Sequence, residues 1–278
     1  MFVSILLLSL FVAAIGAVIY ETIGKTVFHL TQYFIAGITS SDPDTETILQ
    51  EKFPYYRKLL PSKKIEFKKR LKYFLLNKKL IPKAGLELTK EMKIITAACF
   101  IQLTMGFKPL KMTHFKRFFI YPSRYYSIIT NKYHLGEVNT KGAVVISWAD
   151  IQKEVSYYGE QVQLGLYEMS HAIKLADAFF ANELNDGNFF DYKEFLIFYK
   201  RVNLEMQPLM LAESPFLRKY AGSSIDEFFA VCVEFFFENP GAFKYELPEL
   251  YLIFTRILKQ DPASGQFFQK ESRTNSNI

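Results

Sequence analysis

The chain has 278 residues, of which 50% are hydrophobic and 22% charged, a composition typical of a globular domain with an additional apolar segment. Its two cysteines, Cys99 and Cys232, lie in apolar sequence, which indicates reduced buried thiols and excludes a disulfide-stabilised fold. The net charge of +6 comes from residues 51–83, where twelve Lys/Arg oppose two glutamates; no nucleic-acid-binding motif accompanies them, so we expect no nucleic-acid partner.

The first 22 residues are predicted to form a transmembrane anchor. Residues 1–20 carry no charged side chain, and as a helix they would rise roughly 30 Å, enough to cross a bilayer core. No basic residue precedes this run and no A-x-A-like site follows it, which favours an uncleaved anchor over a signal peptide. Basic residues begin at Lys25, so the positive-inside rule predicts a single-pass protein of the inner, cytoplasmic membrane whose body faces the cytoplasm.

Residues 23–49 are predicted to connect this anchor to the body of the protein. They read as a short amphipathic helix over 23–36, followed by a linker over 39–47 whose turn-forming and acidic residues have nothing to bury. A folded domain is expected over residues 50–262. Residues 263–278 have no periodicity, so we expect a disordered tail.

The basic stretch is predicted to be an amphipathic helix. Phe67, Leu71, Phe74 and Leu75 recur at helical spacing, which marks one apolar face with lysines around the rest. Two interpretations fit this pattern. The helix is either an ordinary solvated surface or, over residues 57–79, a face attracted to anionic lipid, since each Lys or Arg near such a membrane contributes about 1 kcal/mol.

The remaining elements predict an α+β fold. A mostly apolar helix is expected over 88–107, N-capped by Thr89 and ended by Gly106. Strands are expected over 117–122 and 143–148, with polar turns between them. Helical spacing returns over 149–181, a loop follows over 182–191, and three more helices are expected over 193–212, 224–238 and 247–259.

One motif carries recognisable chemistry. Residues 166–173 read LYEMSHAI, which would contain the zinc motif H-E-x-x-H if Tyr167 were a histidine. On a helix, Tyr167, Glu168 and His171 emerge on adjoining faces. A hydrolytic zinc site needs three protein ligands and an open position, so a third ligand must come from elsewhere. The helix over 224–238 offers three candidates, Glu227, Glu234 and Glu238. A di-iron site is excluded because no second E-x-x-H is present.

Residues 50–262 resemble the Mlc titration factor A (MtfA) family of zinc peptidases. The likeness rests on GLELTKEM (85–92), FIYP (119–122), GEV followed by VVISWADI (144–151), the helix around Glu168 and His171, and DEFFAVCVEFFFENP (226–240). It implies an α/β (α+β) fold in which a small β-sheet packs beside a gluzincin-like helical core. It also implies that an edge strand near 143–148 could align an extended peptide.

The resemblance also implies roles for individual residues. Glu168 would be the general base, His171 and Glu227 zinc ligands, and Tyr220 a hydrogen-bond donor to the developing oxyanion. Two positions depart from the family pattern. Tyr167 replaces the first zinc histidine, and Lys174 stands where an aspartate is usual, so its ammonium could act as counter-charge to Glu168 and Glu227 in place of a cation.

Three functions are therefore open. The first is a membrane-anchored pseudopeptidase that binds a peptide or protein partner without cleaving it. The second is an active zinc-dependent peptidase with an altered first ligand, either Tyr167 itself or a histidine such as His134 from a neighbouring strand. The third is a protein of the membrane surface in which the groove has no role.

Overall fold

The computed structural model consists of two units, residues 1–40 and residues 41–278. It describes residues 2–38, 42–107, 115–127, 132–134, 136–139, 142–149, 151, 166, 169–171, 192–211 and 224–264, and within these ranges the side chains of residues 2–10, 132–139 and 203–211, among others, are not described. The predicted disordered tail over 263–278 lies almost entirely outside this part of the chain.

The first unit is one long helix, α1 (Phe2–Ile38). The separate short helix predicted over 23–36 is therefore wrong, because no residue interrupts the backbone: the run contains no proline, and Gly24 lies in open space. Among the residues that the structure describes, no helix is both long enough and apolar enough to cross a membrane. The membrane helix predicted over residues 1–20 is not confirmed.

The second unit begins with a helix where the sequence predicted a linker. Helix α2 (Pro43–Lys52) is N-capped by Asp42, whose side chain accepts a hydrogen bond from the backbone N–H of Asp44. Pro43 occupies the first turn, where its missing N–H costs no hydrogen bond. The buried side chain of Leu49 holds α2 against the core, and a short helix, α3 (Pro54–Lys58), follows. The linker predicted over 39–47 thus ends at residue 42.

The two predicted helices that follow are confirmed. In α4 (Pro61–Asn77) the predicted face is the buried one, with Phe67, Leu71 and Phe74 in the core and Leu75 packed against it. Helix α5 (Lys90–Thr104) starts after Thr89, whose hydroxyl accepts a hydrogen bond from the Met92 N–H at 3.2 Å. Nearly all of α5 is buried, so it forms the centre of the core.

A four-stranded sheet packs beside these helices in the order β1-β2-β6-β5. Its strands are β1 (Lys79–Pro82), β2 (Arg117–Tyr121), β5 (Gly136–Asn139) and β6 (Ala143–Ser147). The first three in spatial order run parallel, and β5 is antiparallel to β6. Phe118 pairs with Val144 and Ile120 with Ile146, and all four side chains are fully buried. In β2 they alternate with more exposed side chains, as the pleat of a sheet covered on one face requires, whereas in β6 only Val145 is half-buried.

Strands β2 and β6 confirm the sequence prediction, whereas the other four described strands were missed. The four residues of β1 were read as the end of the basic helix, and β5 as a polar turn. Strands β3 (Tyr125–Ser127) and β4 (Lys132–His134), which pair antiparallel, fall where turns were expected. All are three or four residues long, too short to show the alternation of apolar and polar residues that identifies a strand in sequence.

Helices in the C-terminal part form an aromatic cluster. They are α6 (Tyr192–Leu211), α7 (Ile225–Glu238), α8 (Pro240–Glu246) and α9 (Pro248–Leu258), of which only α8 was not predicted. Phe229 of α7 lies within 5.5 Å of Phe198 in α6 and 5.4 Å of Phe254 in α9, measured between ring centroids. With the sheet described above, these helices confirm an α+β fold.

Candidate functional site

Helix α7 places Glu227 in its first turn. Ser224 caps the helix, because its hydroxyl accepts a hydrogen bond from the backbone N–H of Glu227 at 3.2 Å. From Phe228 onward most side chains of α7 are buried in the core, so the helix axis is fixed by packing. Ser224 was missed as a positioning residue, although the spacing S-x-x-E before an apolar run indicates a capping box.

His171 lies on a short helical stretch held by its neighbours. Residues 169–171 are helical, as is Leu166. Leu166, Met169 and Ser170 are buried almost completely, whereas 22% of the His171 side chain remains exposed. This pattern sets the orientation of the helix, because its apolar side must face the core. His171 is therefore at the border between core and solvent.

The fold brings His171 and Glu227 together. Nε2 of His171 lies 3.9 Å from Oε1 of Glu227, and both side chains are partly accessible to solvent. Burial raises the pKa of the Glu227 carboxyl above its usual range. A cation beside this carboxyl would oppose that shift, because it favours the charged form.

The pair has the chemistry of a zinc ligand pair. An imidazole nitrogen and a carboxylate oxygen are both common zinc donors, and two donors on one tetrahedral ion lie about 3.4 Å apart. The observed 3.9 Å exceeds that separation by a margin that a small side-chain rotation removes. His171 and Glu227 therefore fit the role of two ligands to one ion.

The other predicted site residues are outside the described part of the chain. Tyr167, Glu168, Lys174 and Tyr220 all fall there. Within the described ranges, no three His, Cys, Asp or Glu side chains gather in a way that could hold a metal ion. A third ligand thus has no candidate among the residues whose positions are known, and the roles predicted for these four residues remain predictions.

Three other residues were candidates for that ligand: Glu234, Glu238 and His134. Glu234 faces the same side of α7 as Glu227, but seven helical residues separate them by about 10 Å, too far to share one ion. Glu238 is further still along the same helix. His134 ends strand β4, opposite Tyr125, and its side chain is not described.

Strand β6 corrects one expectation about peptide binding. It was predicted to be an edge strand, but it lies between β2 and β5 and is hydrogen-bonded on both sides. The prediction failed because strand order depends on pairings between distant parts of the chain, which the alternation within one strand does not encode. In the described sheet the edges are β1 and β5, so an added peptide strand would have to pair with one of these.

The fold and the site define an α+β protein with a histidine–glutamate pair of the kind that metallopeptidases use. The chain belongs to the glucose-regulated metallo-peptidase M90 family, whose model matches residues 35–259. It is similar to Mlc titration factor A of Yersinia pestis and of Yersinia pseudotuberculosis, at 27% identity over 199 residues, covering 66% of this chain and 73% of the relative. An uncharacterised protein of Synechocystis is 22% identical over 235 residues, covering 79% of this chain and 85% of that protein.

Proposed function

We propose that this protein is a membrane-anchored pseudopeptidase, which keeps a gluzincin-like groove and binds a peptide or protein partner there without cleaving it. The observation that carries the proposal is the contrast between two positions. His171 and Glu227 lie 3.9 Å apart, as two ligands would, whereas the residue at the first ligand position is Tyr167. Two protein ligands are fewer than the three that a catalytic zinc site uses.

Tyr167 is a poor substitute for the missing imidazole. Its phenol has a reference pKa near 10, so supplying a phenolate at pH 7 would cost about 4 kcal/mol without a neighbouring cation. In an active site, a bound zinc ion would polarise the peptide carbonyl and acidify a water molecule. Glu168 would take the proton from that water, and Tyr220 would donate a hydrogen bond to the developing oxyanion.

The alternative is an active peptidase with an altered first ligand. It is favoured by the same histidine–glutamate pair, because a protein that had lost all metal chemistry would have no need to keep both groups together. The third ligand would then be Tyr167 or His134. The two functions differ in one measurable property, the zinc content of the natural protein.

The zinc content of the natural protein and of two variants tests the proposal. We expect the natural protein to purify without stoichiometric zinc and Tyr167→His to bind zinc at least about 100-fold more tightly, since a change to a ligand should exceed the range known for residues around it. Tyr167→Phe is the matched control, because it removes only the hydroxyl. Stoichiometric zinc in the natural protein that is lost in Tyr167→Phe would establish the alternative, with Tyr167 as a ligand. Zinc retained in Tyr167→Phe would point to another ligand such as His134.

Lys174 is part of the same proposal. Without a metal ion, its ammonium would offset the repulsion between Glu168 and Glu227. Lys174→Ala should then destabilise the metal-free protein by about 3 kcal/mol, as removal of one partner from a buried charged pair does, and added zinc should raise the melting temperature of the variant more than that of the natural protein. Equal stability and equal zinc response would make Lys174 an ordinary surface residue.

The membrane anchor is the remaining part of the proposal. Its support is the uncharged run over residues 1–20, which falls within the continuous helix α1, where the side chains of Phe11, Val12 and Val18 are exposed. Basic residues follow this run, so the body would face the cytoplasm. Protease added outside intact cells should leave residues 50–262 uncut, and their digestion would contradict the orientation.

A further inference from the structure

Helix α4 has two faces with different kinds of apolar residue. Phe67, Leu71 and Phe74 are buried in the core. On the opposite side, Ile65 is 67% exposed and Leu76 is 60% exposed. Both side chains keep most of their surface in water, so packing in the core does not explain them.

The exposed aliphatic residues flank two lysines in one stripe. Ile65, Lys69, Lys72 and Leu76 follow one another at four, three and four residues, which places all four on one side of the helix over about 16 Å. We call these four residues the outer stripe. It has a basic centre and an apolar residue at each end.

Glu66 and Arg70 of α4 pair with each other outside the outer stripe. Glu66, the acidic residue of this helix, lies a quarter-turn from Ile65 and pairs with Lys63 at 3.1 Å and with the buried Arg70. Arg70 also donates a hydrogen bond to the carbonyl of Thr104 at 2.8 Å. The carboxylate of α4 thus faces the core side, and the outer stripe is basic.

The centre of the stripe lies beside a further basic side chain. Lys68, which pairs with Glu46 of α2 at 2.6 Å, stands four residues before Lys72, a spacing at which like charges repel on a helix. Partial burial and this neighbouring charge lower the pKa of Lys72.

We propose that the outer stripe of α4 docks on a bilayer that contains anionic phospholipids. Ile65 and Leu76 enter the boundary between headgroups and acyl chains, and the ammonium groups of Lys69 and Lys72 bind lipid phosphates. The pattern matches that of interfacial helices, in which apolar side chains and lysines share the membrane-facing surface. A nucleic acid would engage the lysines but would leave Ile65 and Leu76 in water. The proposal stands independently of zinc binding or peptidase activity.

The two natural cysteines make a direct test possible. Cys99 and Cys232 are buried, so a cysteine introduced at an exposed position can be labelled selectively with an environment-sensitive fluorophore. Ile65→Cys and Leu76→Cys place the probe on the outer stripe. Tyr245→Cys places it on α8, where Tyr245 is 83% exposed, as a matched control outside the stripe. The full chain carrying each label is incubated with vesicles of phosphatidylcholine alone or mixed with phosphatidylglycerol.

We expect blue-shifted emission and protection from a water-soluble quencher at positions 65 and 76 with the anionic vesicles, and neither effect at position 245. Because a lysine near an anionic membrane changes the docking equilibrium about fivefold, Lys69→Gln and Lys72→Gln should each reduce the docked-to-undocked ratio by about that factor. High salt should reduce it in the same direction.

Three results would overturn the proposal. Unchanged emission at both positions with anionic vesicles would show that the stripe stays in water. An equal change with neutral vesicles would show that the lysines do not recognise headgroups. A change without vesicles that grows with protein concentration would show that a second copy of the chain covers the stripe. Because only the probe position is read, loss of insertion by α1 does not imitate any of these results.

Discussion

Helices α4 and α7 each contain residues that do not fit their surroundings, and these residues are of opposite kinds: apolar in α4 and polar in α7. In α7 most side chains after the first turn are apolar and buried, and the polar Glu227 at its start lies beside His171. In α4 the outer side is basic, and the exceptions are the aliphatic residues Ile65 and Leu76. A polar group beside a core and an apolar group facing water are each unfavourable for folding alone.

In both helices, the residues that neither core packing nor solvent exposure explains are the ones that indicate a function. The apolar residues of α7 are explained by packing, whereas Glu227, which the fold places 3.9 Å from His171, needs a chemical explanation. In α4 the lysines are ordinary for a surface, so the aliphatic pair needs one. The site in α7 and the surface in α4 are both identified by residues that break the local pattern.

The contrast between α4 and α7 requires that the aromatic cluster around α7 stabilises the fold. Phe229 contacts Phe195, Phe198 and Phe254, with ring centroids 5.4 to 5.8 Å apart. Phe229→Ala should therefore reduce the free energy of unfolding by about 3 to 5 kcal/mol, the usual cost of truncating a buried phenylalanine.

Leu76→Ala is the matched control for that measurement, because it truncates an exposed aliphatic side chain. Its effect should stay within about 0.5 kcal/mol. Denaturant titration of both variants gives the two values. A cost for Leu76→Ala near that for Phe229→Ala would mean that Leu76 packs within the fold and would also remove the basis for membrane docking.

A second variant, Gly106→Ala, tests how tightly the edge of the core is packed. Gly106, just after α5, lies so close to the end of α9 that a methyl group would overlap the carbonyl oxygen of Leu258. Because the neighbour is backbone and cannot rotate away, Gly106→Ala should destabilise the protein by about 2 to 3 kcal/mol. Gly241→Ala in α8 is the control: its site is open, so it should be neutral or stabilising by up to about 1 kcal/mol. Thermal unfolding of both variants measures the difference.

Much of the helical structure could be predicted because its signals are local. The spacing of Phe67, Leu71 and Phe74 identified the buried face of α4, and Thr89 identified the start of α5. Helix α2 was missed because the acids and the proline near residue 43 were read as a turn, although Asp42 followed by Pro43 also indicates a helix start. The residues permitted both readings, and the contact of Leu49 with the core decided between them.

The non-local features could not be predicted in the same way. That β6 is an interior strand depends on its pairing with β2 and β5, and no residue within β6 encodes those partners. The approach of His171 to Glu227 was expected only from resemblance to a family, because residue spacing within one helix does not encode that helix's contacts with another. For Tyr167 and Lys174 the sequence alone defines the departure from the family pattern.

The last expected effect depends on pH and concerns Lys78, which follows the last residue of α4, where the basic surface meets the core. Burial, with a smaller contribution from the charge of Lys116, lowers the pKa of Lys78 to about 7, from about 10.5 for a lysine in the unfolded chain. Between these two values the unfolded chain binds a proton that the folded protein does not, so stability should rise with pH across this window and fall as pH drops toward 7. The slope from this one group is at most about 1.4 kcal/mol per pH unit.

Lys78→Met should remove this pH-dependent change in stability. The variant should be more stable than the natural protein at pH 7, with the difference closing above about pH 10.5. Lys79→Met, which removes an exposed charge next to it, is the control and should keep the natural pH dependence. Free energies of unfolding for the three proteins between pH 6 and pH 10 measure this; parallel curves for the natural protein and Lys78→Met would show that Lys78 keeps its charge in the folded state and reaches water, so that the basic surface of α4 extends one residue further than its burial indicates.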